Sequence, residues 1–323
     1  MKDPLVTEES EIEELRLALE KAEVRILALK RVSKTRKLRY ERAEAELARL
    51  NSAWPRRVYR RGRRAVGLGQ LRSFCLFIGY PRSGHSLLGS LLDAHPDIAI
   101  AHEVNALGLV VAEGLDRRTL FHTLLRRSEA DAMRTAGRRA TGYSYAVPHG
   151  WQGQVRQLRV IGAKAGEKTT LRLGRDPSEL ARLRRVAGAP VRLIHVTRNP
   201  FDCIARQALI TKGGAPERTI AGATDFVRRL ARFNDRLIAD GAEVLTVRHE
   251  SLVRDPRAEL MRVTSFLRVE PDADWLDACA SIVFPAPKQS RELIEWTTEE
   301  RAAVDEIIAR RGFFAGYSWT STA

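Results

Sequence analysis

A chain of 323 residues with 44% hydrophobic and 29% charged side chains has the length and apolar content for a buried core, which excludes an intrinsically disordered protein. Its net charge of +15 predicts an anionic partner without choosing among nucleic acid, lipid, acidic glycan and nucleotide. Cys75, Cys203 and Cys279 are scattered, with no C-x-x-C or Cys/His cluster, so a disulfide framework and a metal site are both disfavoured and a reducing compartment is expected.

The N-terminus "MKDPLVTEESEIEE" is acidic and carries no apolar signal core, and no run of 18 apolar residues follows, so the expected location is cytoplasmic. Residues 8–50 read as one long helix. Ile12, Leu15, Leu19, Ala22, Ile26, Leu29, Tyr40, Ala43, Leu47 and Leu50 step by three and four over roughly six heptads, the pattern of a coiled coil. Residues 8–24 hold seven Glu and residues 25–39 hold seven Lys or Arg with no acid, so antiparallel pairing would set opposite charges face to face. A homo-oligomer through 8–50 is expected, against a lone amphipathic helix docked on its own domain. Residues 53–71 read as a basic linker with six arginines between Arg56 and Arg64, either a solvated connection or a contact to an anionic surface.

From residue 72 to 323 short apolar runs alternate with helical stretches. Strands are predicted at 73–80, 158–164, 191–197 and 243–249. Helices are predicted after the first of them, in "HSLLGSLLDAH", and in "PSELARLRRVAG", "ATDFVRRLARFNDRLIAD" and "DPRAELMRVTSFLRV". The fold class expected is α/β, a parallel sheet of the phosphate-loop type flanked by helices and preceded by the N-terminal helix.

The first strand runs into "GYPRSGHSLL". A strand, a tight glycine turn and a helix bind anions by construction, because backbone N–H groups converge at a helix start. Gly79 and Gly84 are spaced as in a nucleotide triphosphatase loop of the form G-x-x-x-x-G-K-S/T, with Ser86 at the hydroxyl position and His85 where the lysine belongs. A neutral imidazole is a poor substitute for that lysine, and the strands that follow end in "VTRNP" and "VRHES" rather than in an Asp for Mg²⁺. The loop has a cation of its own in Arg82 and hydroxyls on both sides of Gly84, in Ser83 and Ser86.

These residues resemble the sulfotransferases that use 3′-phosphoadenylyl sulfate (PAPS). "GYPRSGHSLLGSLLDAHP" resembles their 5′-phosphosulfate loop, and "LIHVTRNPFDCIAR" resembles the second signature, a strand followed by R-D/N-P and a helix, which holds the 3′-phosphate. "VRHESLVRDPRAELMRVTSFLRV" resembles the segment that comes next. The likeness covers residues 73 to about 300 in the family's order, and the P-R-S-G form is nearest to tyrosylprotein and bacterial carbohydrate sulfotransferases.

The resemblance implies roles. Arg82, Ser83, Gly84, His85 and Ser86 would hold the 5′-phosphate, with Arg82 also stabilising charge on the sulfuryl group. Arg198 would bind the 3′-phosphate; Arg206 stands where the family has a hydroxyl residue and would add a second cation or be offset. Glu103, in "DIAIAHEVNAL", matches the family's catalytic base, with His102 as local rival. A carboxylate of ordinary acidity is a weak base, so a raised pKa through burial is expected of it. Lys168, in "GAKAGEKTT", would place a cation on the bridging oxygen. Lys288, Ser290 and Arg291, in "PAPKQSRELIEWT", would close over the cofactor. No metal ion is implied. His85, where the family has Thr, reads equally as a phosphate donor, a group reaching the acceptor, or neutral packing.

The acceptor expected is a hydroxyl of a glycan or a sugar-containing metabolite, met by 104–157 and 209–222. Those segments carry Arg117, Arg118, Arg126, Arg127, Arg156 and Arg218, and the aromatics Tyr143, Tyr145 and Trp151. His95 and Trp275 read as structural, Trp296 as packing, and Asp202 as a first-turn residue complementing a helix dipole. Two other readings compete: a phosphate-loop small-molecule kinase dependent on Mg²⁺–ATP, and a basic coiled-coil adaptor for nucleic acid or membrane. No recognised nucleic-acid-binding pattern supports the latter.

Overall fold

The run Ser73–Gly79 (β1) is buried along its whole length, as expected of a strand covered on both faces. The computed structural model describes residues 71–135, 144–209, 219–284 and 286–321. The expected helix over 8–50, the arginine cluster from Arg56 to Arg64, and Tyr143 and Arg218 lie outside the described residues. β1 is the middle of five strands, with β2 (Ile98–His102), β3 (Val160–Lys164), β4 (Val191–Thr197) and β5 (Val244–Arg248) in the order β2-β3-β1-β4-β5. All four pairings are parallel.

Successive side chains of β1 point to opposite faces and found two cores. Phe74, Leu76 and Ile78 pack with Leu107, Leu120, Leu124, Leu173 and Leu183 on one side. Cys75 and Phe77 pack with Leu88, Leu91, Leu260, Val263 and Trp275 on the other. The helices around the sheet are α1 (His85–Asp93), α2 (Ala106–Val111), α3 (Arg117–Thr135), α4 (Glu167–Arg175), α5 (Ser178–Ala187), α6 (Pro200–Ala208), α7 (Ile220–Ala239), α8 (His249–Arg254), α9 (Pro256–Leu267), α10 (Ala273–Ile282) and α11 (Thr298–Ala309); α6, α7 and α11 meet in a third cluster with Tyr80 and Phe314. All three cysteines are buried and unpaired, and burial pushes their thiols up, away from reactivity. No helix among the described residues is long and apolar enough to cross a membrane.

The predicted strands and helices stand within three residues of their expected ends, the helix predicted from Ala223 starting earlier, at Ile220. Several elements were not anticipated, β2, α3 and α4 among them. β2 is a five-residue run directly after the α1 stop, and every residue in it is buried. α3 is long but polar, and α4 carries Lys168 in its first turn. β2 is an edge strand, and its outer N–H groups are capped by buried carboxylates: Ile100 donates to Asp93 at 2.7 Å and His102 to Asp131 at 3.2 Å.

Because every strand runs the same way, their C-terminal ends share one edge of the sheet. That edge carries the loop after β1, Glu103 after β2, Lys164 closing β3, Arg198 after β4 and His249 after β5. Ligands of open α/β sheets bind at this edge.

Candidate active site

The turn between β1 and α1 can be made only with glycine at its two ends. Gly79 has φ 137°, and a Cβ there would lie 2.6 Å from the Val196 carbonyl oxygen. Gly84 has φ 94°, and a Cβ would run into the His249 ring. Arg82 between them also has positive φ, 66°, a strained conformation for a side-chain-bearing residue. Gly84 is the N-cap of α1 and has no side chain to occupy the first-turn N–H groups, which leaves them for an anion. From below, the Gly79 N–H donates to Thr170 Oγ1 at 3.0 Å, and Thr170 donates to Asn234 at 2.9 Å, so a buried polar chain fixes the turn's start.

Cations surround this turn. Burial, and then the neighbouring Arg206, pull the Arg82 pKa below its ordinary value. Arg198, 8% exposed, donates to the Arg82 carbonyl at 3.2 Å and to the Lys288 carbonyl. Among the described residues, Arg198 Nε and His249 Nδ1 are buried without a hydrogen-bond partner. Unpaired buried polar atoms are costly; the His249 ring lies against Gly84 at the open helix start, and Arg198 is bonded to the loop at Arg82. The glycine cradle, the uncapped α1 and these two atoms suit a phosphate-bearing ligand.

Glu103 lies on the other side of the loop. Its backbone N–H continues the sheet by donating to the Lys164 carbonyl at 2.7 Å, and its φ is 57°. One carboxylate oxygen pairs with Lys164, and the other lies 3.8 Å from Lys168 Nζ. The Lys164 ammonium also donates to Ser86 Oγ at 3.0 Å, joining the carboxylate to the loop. Burial would raise the Glu103 pKa, but the charge and hydrogen bond of Lys164, with help from Lys168, outweigh it and hold the carboxyl below its usual value. The expectation of a base with raised pKa is therefore corrected. Glu167, in the first turn of α4, is the carboxyl that burial pushes up, with Glu103 adding to the effect.

Some of the remaining sequence candidates lie around these two groups and others are engaged elsewhere. Ser83 is buried, with its hydroxyl 3.3 Å from His85 Nδ1. His85 is packed against Gly166, and burial, then Lys164, push its imidazole down to about 3, so it is neutral. Of the roles open to it, packing is the one its surroundings show. His102 is buried and lies against Gly89 of α1. Ser290 is buried, and Lys288 is exposed. Arg291 does not face the loop: its guanidinium donates to Asp202 at 2.9 Å and to the Ser321 carbonyl at 2.8 Å, with both ion-pair partners buried. An expected cofactor clamp is thus a structural ion pair, and Asp202 is held in it as well as sitting in the first turn of α6. His95 bridges Asp97 N–H and the Glu270 carbonyl, Trp275 donates to the Leu91 carbonyl, and Trp296 packs on Phe201, all structural roles.

Two residues were missed in the sequence. Lys164 was read only as the end of a strand; its place at the C-terminal end of an interior parallel strand was the available signal. His249 was read as part of "VRHES" and carried no signal until Gly84 was placed beside it.

No curated protein matches the chain. Similar solved structures include the sulfotransferase domain of the Synechococcus PCC 7002 olefin synthase, 18% identical, covering 74% of this chain and 94% of that one with a TM-score of 0.46. Sulfotransferase STF9 from Mycobacterium avium is 14% identical over 75% of this chain and 76% of its own, TM-score 0.45. Mouse sulfotransferase SULT7A1, solved with PAP, is 12% identical over 75% and 84%, TM-score 0.39. The family model described as the sulfotransferase family matches residues 76–274, more than half of the chain. That span takes in the phosphate loop, Glu103, Lys164 and Arg198, and the chain belongs to the sulfotransferase family, enzymes that transfer sulfuryl groups.

Proposed function

We propose that the protein moves a sulfuryl group from PAPS to a hydroxyl of a carbohydrate or sugar-containing metabolite. The observation that carries this reading is the Glu103 carboxylate, held between two lysines and joined through Lys164 to Ser86 of the phosphate loop. When bound, PAPS supplies the sulfuryl group and, in its 5′-phosphate, the leaving group.

The chain's own residues divide the remaining work. The α1 start and the Arg82 fork hold the 5′-phosphate and offset charge on the sulfuryl oxygens. Arg198, with Arg206, meets the 3′-phosphate. Glu103 accepts the proton of the attacking hydroxyl, whose acidity rises as its oxygen bonds to sulfur, so a carboxylate with a low pKa still serves. Lys164 and Lys168 keep that carboxylate ionised and aimed, and add positive charge beside the reacting oxygens. Tyr145, near enough to Arg82 to influence its charge, and the partly exposed Trp151 support an acceptor with flat, hydroxyl-bearing faces. Self-association through 8–50 and contact with an anionic surface through 56–64 belong to the same reading.

Labelled PAPS incubated with glycans, phenols and peptides tests the proposal: label should pass to the glycans. Transfer confined to phenols or peptides would remove the carbohydrate, and stabilisation by Mg²⁺–ATP but not by adenosine 3′,5′-bisphosphate would remove PAPS.

A further inference from the structure

The tops of β4 and β5 each carry a pair of adjacent residues that face opposite ways. Arg198 and His249 face the phosphate loop. Their neighbours Asn199 and Glu250, 1% and 4% exposed, turn the other way and are grasped by the end of the chain. Glu250 accepts from the Asn199 N–H at 2.8 Å with one oxygen and from the Tyr317 hydroxyl at 2.6 Å with the other. Asn199 caps α6 by accepting from Phe201 N–H, and its amide donates to the Ser318 carbonyl at 2.9 Å and Ser321 Oγ at 3.2 Å.

The tail is itself tied into a small knot. Ser318 N–H donates to Ser321 Oγ, and Ser321 N–H donates to Ser318 Oγ. Arg291 pins the Ser321 carbonyl, and Arg248 lies over the Tyr317 ring at 4.2 Å. A buried carboxylate and a buried amide whose hydrogen-bonding capacity is used this fully define one geometry. The residue they fix most directly is Arg198, bonded to Asn199 through the chain.

We propose that the segment Tyr317–Ser321 is a positioning element for 3′-phosphate recognition, setting Asn199 and Glu250 and through them the aim of Arg198. The inference rests on the PAPS reading above. It separates the two ends of the nucleotide: the 5′ end is met by the α1 start and the 3′ end by Arg198, and the tail is held on Asn199, Glu250, Arg248 and Arg291. Loss of tail contacts therefore acts first on the 3′-phosphate and reaches the 5′ end only through the Arg198 bond to the Arg82 carbonyl.

The test uses the full chain and measures affinity for adenosine 3′,5′-bisphosphate and adenosine 5′-monophosphate in wild type, Ser321→Ala, Tyr317→Phe and the double variant. Melting without ligand reports folding, and Ser321→Ala, which removes only a hydroxyl, keeps a folded sample available. The double variant should lose about tenfold in bisphosphate affinity, the worth of one or two hydrogen bonds, with monophosphate affinity unchanged within about twofold. A wild type that prefers the bisphosphate together with variants that keep that preference would overturn the tail's role alone. Equal losses for both nucleotides would also overturn it, as a general structural effect. A wild type with no preference would overturn the PAPS reading, and this inference with it.

Discussion

The side chain of Lys164 is wholly buried, yet its ammonium pairs with Glu103, whose side chain stays 56% exposed. A buried ammonium is costly unless paired and hydrogen-bonded, and Glu103 and Ser86 Oγ supply both. The pair leaves one face of the carboxylate open to solvent, where an acceptor hydroxyl can reach it. Lys164 thereby brings to the loop, from a neighbouring strand, the positive charge that His85 does not.

Replacing Glu103 by Gln keeps the side chain's size and removes its basicity. Sulfuryl transfer should fall by at least about 100-fold, the lower range for loss of a positioned base. Binding of adenosine 3′,5′-bisphosphate, followed by calorimetry, should hold. Near-normal turnover in that variant would take Glu103 out of the mechanism.

Lys164→Met should raise the Glu103 pKa, because the largest influence holding the carboxyl down is gone and burial remains. A base works in its ionised form, so the acid limb of kcat/KM against pH should move to higher pH. Lys168→Met, whose ammonium is more distant and half exposed, should move that limb less. An equal shift in both variants would contradict the geometry.

Gly79→Ala places a methyl against the Val196 carbonyl and forces an alanine into φ 137°. Thermal melting should drop by several degrees, consistent with about 1–3 kcal/mol for one strained residue, and nucleotide binding should weaken with it. An unchanged melting temperature would mean that the turn relaxes at little cost.

Asp93 gives a pH signature in stability. Burial pushes its carboxyl up to about 7, against three stabilising hydrogen bonds from Ile100, Ser128 and Gly153, and nearby Asp131 adds to the rise. The folded state then holds a proton that the unfolded chain releases near pH 3.8. Between about pH 4 and 7 this group's contribution to stability falls as pH rises. Denaturant titrations of wild type and Asp93→Asn across that range should diverge, the variant lacking the decline. Parallel curves would assign Asp93 an ordinary pKa.

The parallel sheet, the phosphate loop and the resemblance were legible in the residues alone, because the strands are continuous apolar runs and glycine spacing is read locally. β2, α3 and α4 were not. β2 is short, and the Pro96–Asp97 turn before it reads only as the stop of α1. α3 is held by a few apolar contacts in a polar stretch, and α4 begins within a turn motif. Arg291 shows the limit for side chains: its position matched a cofactor clamp, but a buried Asp202 within reach claimed it.

"GYPRSGHS" by itself determined an anion site, since a strand, two glycines and a helix start are chain-local facts. What the loop's chemistry is made of was decided only by tertiary structure. Lys164 stands 78 positions from Ser86 and 61 from Glu103. Parallel pairing of β3 beside β1 and β2 brings the three together, because pairing acts between strands however distant they are in sequence.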